Sequence, residues 1–232
     1  FTSSGCHLEF EQDLQALRAA GILPIFAAGN SGPGTGTSLS PGNNPSAFAV
    51  GATDNADQIY SGSSRGPSSC DGSLFPEITA PGVSIHSSSP NGAYFDSTGT
   101  SLAAPHVTGV LAVLLSAYRD LPVEQQQAAL SAGVTDLGSL GADNVFGAGR
   151  LNGLASYAWL ARNGFIPQRQ LSLPIHTIQG AGHISPLVGQ LVTTEGIVTA
   201  VVTATVPGRG DDGFYLQATA ADADDGTSEA IY

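Results

Sequence analysis

A serine stands at the start of a predicted long helix, and this feature restricts the fold more than any other part of the chain. The run Gly-Thr-Ser-Leu-Ala-Ala-Pro-His occupies residues 99–106 and leads into apolar residues up to Tyr118. Backbone N–H groups at a helix start lack partners within the helix, and the helix dipole is positive there. Ser101 is therefore predicted to face solvent where developing negative charge is stabilised. The alternative is a buried helix with a serine near its N-cap. Pro105 is expected early in the helix, where its missing N–H disrupts least.

Helical and strand-like patterns alternate over residues 1–164, which predicts an α/β fold with a parallel sheet. An amphipathic helix of about twelve residues starts near Phe10, and residues 22–28 are apolar on both faces, like a buried parallel strand. Pro24 weakens the first half of that strand prediction, because proline cannot donate to a central ladder. The other predicted elements are a strand at 47–52, extended segments at 77–80, 83–87 and 93–96, and helices at 100–118, at 122–130 and from Asn152 to Gly164.

The pattern changes after Gly164. Residues 168–174 are predicted to be a linker, and helical periodicity disappears beyond them. β-branched residues dominate 191–203, and 213–217 is a second strand-like run. We therefore divide the chain into a domain at 1–167, the linker at 168–174 and a β domain at 175–232.

Composition excludes several classes of function. The chain has 232 residues and 41% hydrophobic residues, and 19 acidic against 7 basic residues give a net charge of −12. Such a charge repels phosphate backbones, so nucleic-acid binding is not expected. No uninterrupted run of 18 apolar residues is present, so no membrane span is predicted. The sequence starts at Phe1, contains no methionine and shows no signal peptide, and we expect it to be a piece of a longer polypeptide.

The two cysteines, Cys6 and Cys70, leave the redox question open. They allow one disulfide, but sequence cannot show that they meet, and two buried thiols are the alternative. No cofactor is expected. Asp222, Asp224 and Asp225 carry the oxygen ligands that calcium prefers, with a solvated acidic loop as the alternative.

The octet at 99–106 resembles the nucleophile signature of the subtilisin-like serine peptidases (subtilases). Ala-Ala-Gly-Asn at 27–30 matches the strand end that carries the side-chain oxyanion donor in that family, and the segments at 40–52, 63–67 and 79–82 are also similar, closest to the bacillopeptidase-F-like branch. The resemblance covers about residues 1–163. It implies a partial subtilisin-like sandwich with a parallel sheet, in which Ser101 is the nucleophile. Asn30 and the Ser101 N–H would hold the oxyanion. A turn residue is the alternative for Asn30.

The same resemblance assigns further binding residues. Ala27, Ala28 and Gly29 would form one wall of the primary specificity pocket, and their small size implies an open pocket for large apolar or aromatic side chains. Packing of a tight strand is the alternative. Thr100 would add a weak oxyanion contact, or else cap the helix.

A serine peptidase also needs a base and a residue that orients it. The family's Asp-Ser/Thr-Gly turn and His-Gly-Thr-His helix start do not occur in this sequence. His7 is the only histidine before Asn30, Asp13 lies mid-helix, and His106 is predicted to be rotated away from Ser101. We expect the missing N-terminal half of the domain to supply the triad His and Asp, and the chain alone to be inactive.

The β domain has its own resemblance. Segments at 175–180, 185–189, 194–201 and 213–217 are similar to the OB-like domain attached to secreted bacterial nucleases, here truncated within a strand. OB folds bind oligonucleotides in basic grooves. From Ser172 onward, Arg209 alone opposes seven carboxylates, which argues against autonomous nucleic-acid binding.

These observations favour a serine endopeptidase that acts on polypeptides, secreted from or at the surface of a bacterium. The alternatives are a catalytically inactive, subtilase-shaped binding module and a part of a secreted nuclease-associated protein.

Overall fold

The computed structural model of the chain describes residues 3–167, 171–179, 185–187, 192–194, 196–202, 213–217 and 230–231. The chain divides into two compact units, Phe1–Gln168 and Arg169–Tyr232. The elements of the first unit are β1 (Ser3–Ser4), α1 (Glu11–Ala19), β2 (Ile25–Ala27), β3 (Leu39–Ser40), β4 (Phe48–Thr53), β5 (Ile78–Pro81), β6 (Ile85–Ser88), a 3-10 turn (Pro90–Gly92), β7 (Tyr94–Ser97), α2 (Thr100–Ala117), α3 (Val123–Ala132), β8 (Val134–Thr135), β9 (Arg150–Leu151) and α4 (Gly153–Arg162).

A five-stranded, mainly parallel sheet forms the centre of the first unit. Its strand order is β2-β4-β5-β9-β8, and β8 alone runs antiparallel to its neighbour. Every residue of β4 is buried, as expected for a parallel strand covered on both faces. The predicted α/β class is confirmed. Since parallel strands end at the same edge, β2, β4 and β5 deliver their following loops to one side of the sheet.

The first predicted strand is shorter than expected. The pattern predicted residues 22–28, whereas β2 covers only Ile25–Ala27. Pro24 explains the loss, because its ring nitrogen cannot donate to the ladder; its carbonyl accepts the Phe48 N–H instead. The other predicted helices and strands of this unit lie within a few residues of the observed ones, and Asn152 caps α4 by accepting the Ala155 N–H at 3.1 Å.

Helix α2 packs one face on the sheet and leaves the other open. Its buried residues follow helical spacing: Thr100, Ala103, Val107, Leu111 and Leu114. Although we predicted no membrane span, α2 has the length and mean hydropathy, 1.5 over 18 residues, of a candidate. Core helices of proteins outside membranes share these properties. However, only 28% of α2 is buried, so much of its apolar surface lacks cover in the described part of the chain.

The second unit contains β10 (Leu171–Ser172), α5 (Ile175–Gln179), β11 (Val192–Thr193), β12 (Ile197–Val202), β13 (Gly213–Gln217) and β14 (Ala230–Ile231). Strands β12, β13 and β14 form an antiparallel sheet, and β10 pairs in parallel with β11. The linker at 168–174 stays a prediction, and β10 lies within it. The expected absence of helical structure beyond the linker was wrong, because the five-residue helix α5 follows Pro174. This helix is too short to show a helical period. The OB-like fold stays a prediction, and Asp222, Asp224 and Asp225 lie outside the described residues.

The two cysteines form a disulfide. Cys6 and Cys70 are joined, with 4.7 Å between their Cα atoms and 64 residues between them in sequence. The bridge fastens the segment after β1 to the loop before β5. Disulfides persist in oxidising compartments, which is consistent with an extracellular protein.

Replacing both cysteines by serine is expected to lower the free energy of unfolding by about 4 kcal/mol, because the bridge removes loop-closure entropy from the unfolded chain. Thermal unfolding with and without a reductant measures this effect. Reductant should lower the Tm of the parent and leave that of the double variant unchanged. Equal Tm values for the oxidised parent and the double variant would contradict the prediction.

Candidate functional site

Ser101 is the second residue of α2, and its side chain is exposed. The preceding loop reaches the helix through Gly99, whose N–H donates to the Gly82 carbonyl at 2.8 Å. The Ser101 N–H is one of the first four of the helix, which have no partner within it. Pro105 lies inside α2 and not, as predicted, where its missing N–H matters least. It therefore leaves the Ser101 carbonyl without its usual helical donor.

Asn30 follows β2, and two bonds from Thr100 fix the orientation of its amide. Asn30 Oδ1 accepts the Thr100 N–H at 3.0 Å and the Thr100 hydroxyl at 3.1 Å. Since a backbone N–H can only donate, the amide atom facing it must be the oxygen. The Asn30 amide nitrogen is thereby turned away from Thr100, and among the residues that the structure describes none accepts either of its N–H groups.

The Asn30 amide and the Ser101 hydroxyl border one small space. A Cβ placed on Gly99 would lie 3.3 Å from Asn30 Nδ2 and 3.3 Å from Ser101 Oγ, so these atoms are no farther apart than twice that distance. Only glycine leaves the space between them open. The arrangement presents a hydroxyl, a side-chain N–H and a helix-start N–H together, which are the groups that acyl transfer through an oxyanion requires.

Thr100 connects this cluster to the end of β2. Its hydroxyl, fully buried, accepts the Gly29 N–H at 3.1 Å while it donates to Asn30. The sequence offered two roles for Thr100, an oxyanion contact or a helix cap. In the structure the N-cap is Gly99, and the Thr100 hydroxyl orients Asn30. Thr100 belongs to the Gly-Thr-Ser run at 99–101, but that run does not reveal its role in orienting Asn30. The hydrogen bond joins residues that are 70 positions apart in the sequence.

The three small residues before Asn30 occupy different environments. Ala27 is partly exposed, whereas Ala28 is fully buried and packs with Ala49 and Phe75 in a core cluster of its own. Gly29 has a φ of +104°, a conformation that glycine adopts without strain. Its carbonyl accepts the Ser64 N–H at 2.9 Å. Ser64 lies in the segment 63–67 that resembles the family, and the sequence predicts no role for it.

No base accompanies Ser101 in the described part of the chain. Among those residues, neither a histidine nor a carboxylate is hydrogen-bonded to Ser101 Oγ, and no three His, Cys, Asp or Glu side chains are grouped as metal ligands. His106 is the nearest histidine in sequence. Its Nδ1 lies 2.8 Å from the Leu102 carbonyl, which accounts for one ring nitrogen within its own helix.

An apolar groove begins at Ser101 and runs along the open face of α2. It has a volume of about 690 Å³ and lies between α2 and β2. A second groove of about 660 Å³ lies between α2 and α4 and shares Pro105 and Gly109 with the first. Strand β2 pairs with β4 on one side, and no strand occupies its other edge among the described residues.

Glu77 is a partly buried carboxylate outside this cluster. Burial raises its pKa to about 7, against the opposing effects of the Ala49 and Glu77 backbone N–H groups, while Asp71 raises and Arg18 lowers it. Glu77 Oε2 accepts the Ala49 N–H at 2.6 Å. The carboxylate therefore ties the end of the loop before β5 to β4.

The Glu77 pKa makes stability depend on pH. Between its usual pKa of 4.5 and the raised value, the folded state binds more protons than the unfolded state. The free energy of unfolding therefore falls as the pH rises through this window. Above the window the total loss is about 3 kcal/mol. We expect Glu77→Gln to raise the Tm at pH 8 more than at pH 4, and the exposed control Glu9→Gln to change neither. A parallel shift of Tm at both pH values would contradict the assignment.

Residues 2–149 match the model of the subtilase family, Peptidase S8. The chain belongs to this family of serine peptidases.

The chain is 41% identical over 134 residues to Bacillopeptidase F of Bacillus subtilis (56% of this chain, 9% of that protein). It is 38% identical over 130 residues to Subtilisin DY of Bacillus licheniformis (55% and 45%). Among solved structures, the prenylagaramide maturation protease PagA is similar, with a TM-score of 0.57 and 30% identity over 67% of this chain and 57% of that one. The chain thus spans less than half the length of Bacillopeptidase F and of Subtilisin DY.

Proposed function

We propose that this chain is the C-terminal part of a subtilisin-like endopeptidase domain that hydrolyses peptide bonds through Ser101. The observation that carries the proposal is the Asn30–Thr100–Ser101 cluster, in which Thr100 turns the Asn30 amide nitrogen toward the space in front of the serine. A decayed site has no chemical reason to keep both the hydroxyl and the oriented amide.

In the proposed reaction, Ser101 Oγ attacks the carbonyl carbon of the substrate and its proton passes to a histidine base. The carbonyl oxygen becomes an oxyanion between Asn30 Nδ2 and the Ser101 N–H. The base returns the proton to the leaving amine as the peptide bond breaks. Water then attacks the acyl-serine, and the same groups act in reverse.

The histidine and its orienting aspartate belong, in this proposal, to an N-terminal half of the domain outside the 232 residues. The open edge of β2 and the uncovered face of α2 are where that half would add strands and cover the helix. Large exposed apolar patches are uncommon on monomers, and Val113 on this helix is 68% exposed. The groove begins at Ser101, so strands seated there would bring their residues to the nucleophile.

Polypeptides are the proposed substrates, and no membrane or nucleic acid is proposed as a partner. The net charge of −12 opposes nucleic-acid binding. An extracellular location is proposed from the Cys6–Cys70 disulfide. We propose no cofactor for the reaction.

The test uses the complete protein, with the residues that precede this chain, and casein as substrate. We expect the complete protein to hydrolyse casein. A fluorophosphonate should abolish this hydrolysis in proportion to the amount of probe that the protein incorporates. A folded complete protein that neither cleaves casein nor incorporates the probe would overturn the proposal and leave the inactive binding module in its place.

A further inference from the structure

Ser64 contacts both of the peptide groups that meet at Asn30. The Ser64 N–H donates to the Gly29 carbonyl at 2.9 Å, and Ser64 Oγ accepts the Ser31 N–H at 3.1 Å. Because each peptide group is planar, the first bond holds the plane that ends at the Asn30 Cα and the second holds the plane that begins there. One residue therefore sets the direction in which the Asn30 side chain leaves the backbone.

The backbone of Asn30 makes no hydrogen bond of its own with the other residues that the structure describes. Its position therefore depends on what its neighbours and its side chain contact. Thr100 bonds to the tip of the Asn30 side chain and to the Gly29 N–H, which belongs to the peptide group one residue earlier. Thr100 thus orients the amide, whereas Ser64 holds the two peptide groups at the Cα.

Ser64 is supported by backbone bonds to the central sheet. Ser64 is fully buried, and the residue before it, Ser63, donates its N–H to the Tyr60 carbonyl at 2.9 Å. The Tyr60 N–H in turn donates to the Ala52 carbonyl of β4 at 2.9 Å. The buried strand β4 is therefore the fixed support for the loop that holds the proposed oxyanion donor.

The loop that carries Ser64 packs tightly against the end of β2. A Cβ added to Gly29 would lie 2.9 Å from Ser64 Oγ and 2.5 Å from Leu39 Cδ1, so no larger residue fits there. On the other side of the asparagine, the Gly32 N–H donates to the Gly62 carbonyl at 2.9 Å. The two segments therefore run side by side, and close packing leaves the backbone between these contacts little room to move.

The position of the Asn30 amide matters for catalysis. A donor stabilises an oxyanion when it lies about 2.7–3.1 Å from the place that the charged oxygen will occupy. A displacement of about 1 Å can cost roughly 100-fold in rate. The bonds that hold the Asn30 backbone are therefore expected to affect kcat.

We infer that Ser64 is a positioning residue for the oxyanion donor and acts through Asn30 without contacting the substrate. Its N–H and Oγ hold the backbone at Asn30, and Thr100 then orients the amide, so that Nδ2 faces the space beside Ser101 Oγ. The inference rests on the proposed function, because the position of Asn30 has this meaning only if Ser101 attacks peptides.

The test measures kcat and KM of the complete protein on a peptide nitroanilide. Ser64→Ala removes the acceptor of the Ser31 N–H, and we expect kcat to fall roughly 10-fold with KM unchanged, because a displaced donor stabilises the oxyanion less well. Ser63→Ala is the matched control. Ser63 is equally buried, and its Oγ also accepts a backbone N–H at 3.1 Å, but that of Ala52 in β4. The two variants should lose similar amounts of Tm, whereas Ser63→Ala should keep the parental kcat.

A second comparison shows whether Ser64 acts through Asn30. In the Asn30→Ala protein the amide is absent, so adding Ser64→Ala should change kcat by less than about twofold. Ser64→Cys keeps the shape of serine but offers a weaker acceptor, and its kcat should lie between those of the parent and Ser64→Ala. If the alanine variant does not fold, the cysteine variant takes its place in both comparisons.

Two kinds of result overturn the inference, and fluorophosphonate labelling of Ser101 distinguishes them. In the first, the parent is labelled and cleaves the peptide, but the Ser64 variant keeps the parental kcat, loses no more kcat than Ser63→Ala, or loses as much in the Asn30→Ala protein as in the parent. Ser64 is then not a positioning residue, and the proposed function stands. In the second, the folded parent is neither labelled nor active, and the proposed function fails together with the role of Ser64.

Discussion

Ser101→Ala in the complete protein is expected to lower kcat for peptide hydrolysis by roughly 10⁶, the loss known for the serine of subtilisin, a member of the same family. The alanine methyl group cannot form the acyl intermediate, so only water attack assisted by the oxyanion donors remains. Ser101 is exposed at the start of α2 and donates to no other residue in the described hydrogen-bond network. Its removal should therefore leave the Tm within about 1 °C, and hydrolysis of a peptide nitroanilide measures the loss.

Ser116→Ala is the matched control for this substitution. Ser116 lies near the other end of α2, is also exposed, and bonds only to the Val113 carbonyl. We expect its kcat to stay within a factor of two of the parent. A Ser101→Ala protein that retains more than a hundredth of the parental kcat would show that another residue is the nucleophile.

Asn30→Ala should lower kcat by roughly 10²–10³ and change KM little. This magnitude was measured on subtilisin for the corresponding donor. The N–H of Asn30 gains strength only when negative charge develops on the substrate oxygen, so it stabilises the transition state more than the bound substrate. The variant also removes the acceptor of the Thr100 N–H and hydroxyl, and a small loss of Tm is expected.

Two comparisons make the Asn30 experiment specific. Asn163→Ala removes an exposed asparagine whose amide donates to the Trp159 carbonyl at the end of α4, and kcat should not change. Thr100→Val removes the hydroxyl that orients Asn30 but leaves the backbone N–H, and its kcat should lie between those of the parent and Asn30→Ala. A rise in KM without a fall in kcat for Asn30→Ala would contradict the oxyanion role.

Local patterns were sufficient to predict the parts of the site that depend on neighbouring residues. The start of α2 follows from Gly99, Thr100 and the apolar run behind Ser101, and the end of β2 follows from an apolar stretch that stops at Gly29. Parallel strands and their helices bring such ends to one edge of a sheet. The family resemblance therefore made it possible to predict from the sequence that Asn30 lies near Ser101.

Contacts between distant segments were not accessible in this way. The Cys6–Cys70 disulfide, the Thr100 bond to Asn30 and the packing of Leu39 on Gly29 each depend on how loops fold over the sheet. No periodicity records that folding. Short elements also escaped prediction, because two residues in β10 and five in α5 are too few to show a repeat.

The central claim is that Ser101 is the nucleophile of a peptidase, and the position of a covalent label tests it most directly. The complete protein is treated with a fluorophosphonate until casein hydrolysis stops, digested, and mapped by mass spectrometry. The account predicts one adduct per molecule on the peptide that contains Ser101, and none in Ser101→Ala. An adduct at another residue, or loss of hydrolysis without any adduct at Ser101, would contradict it.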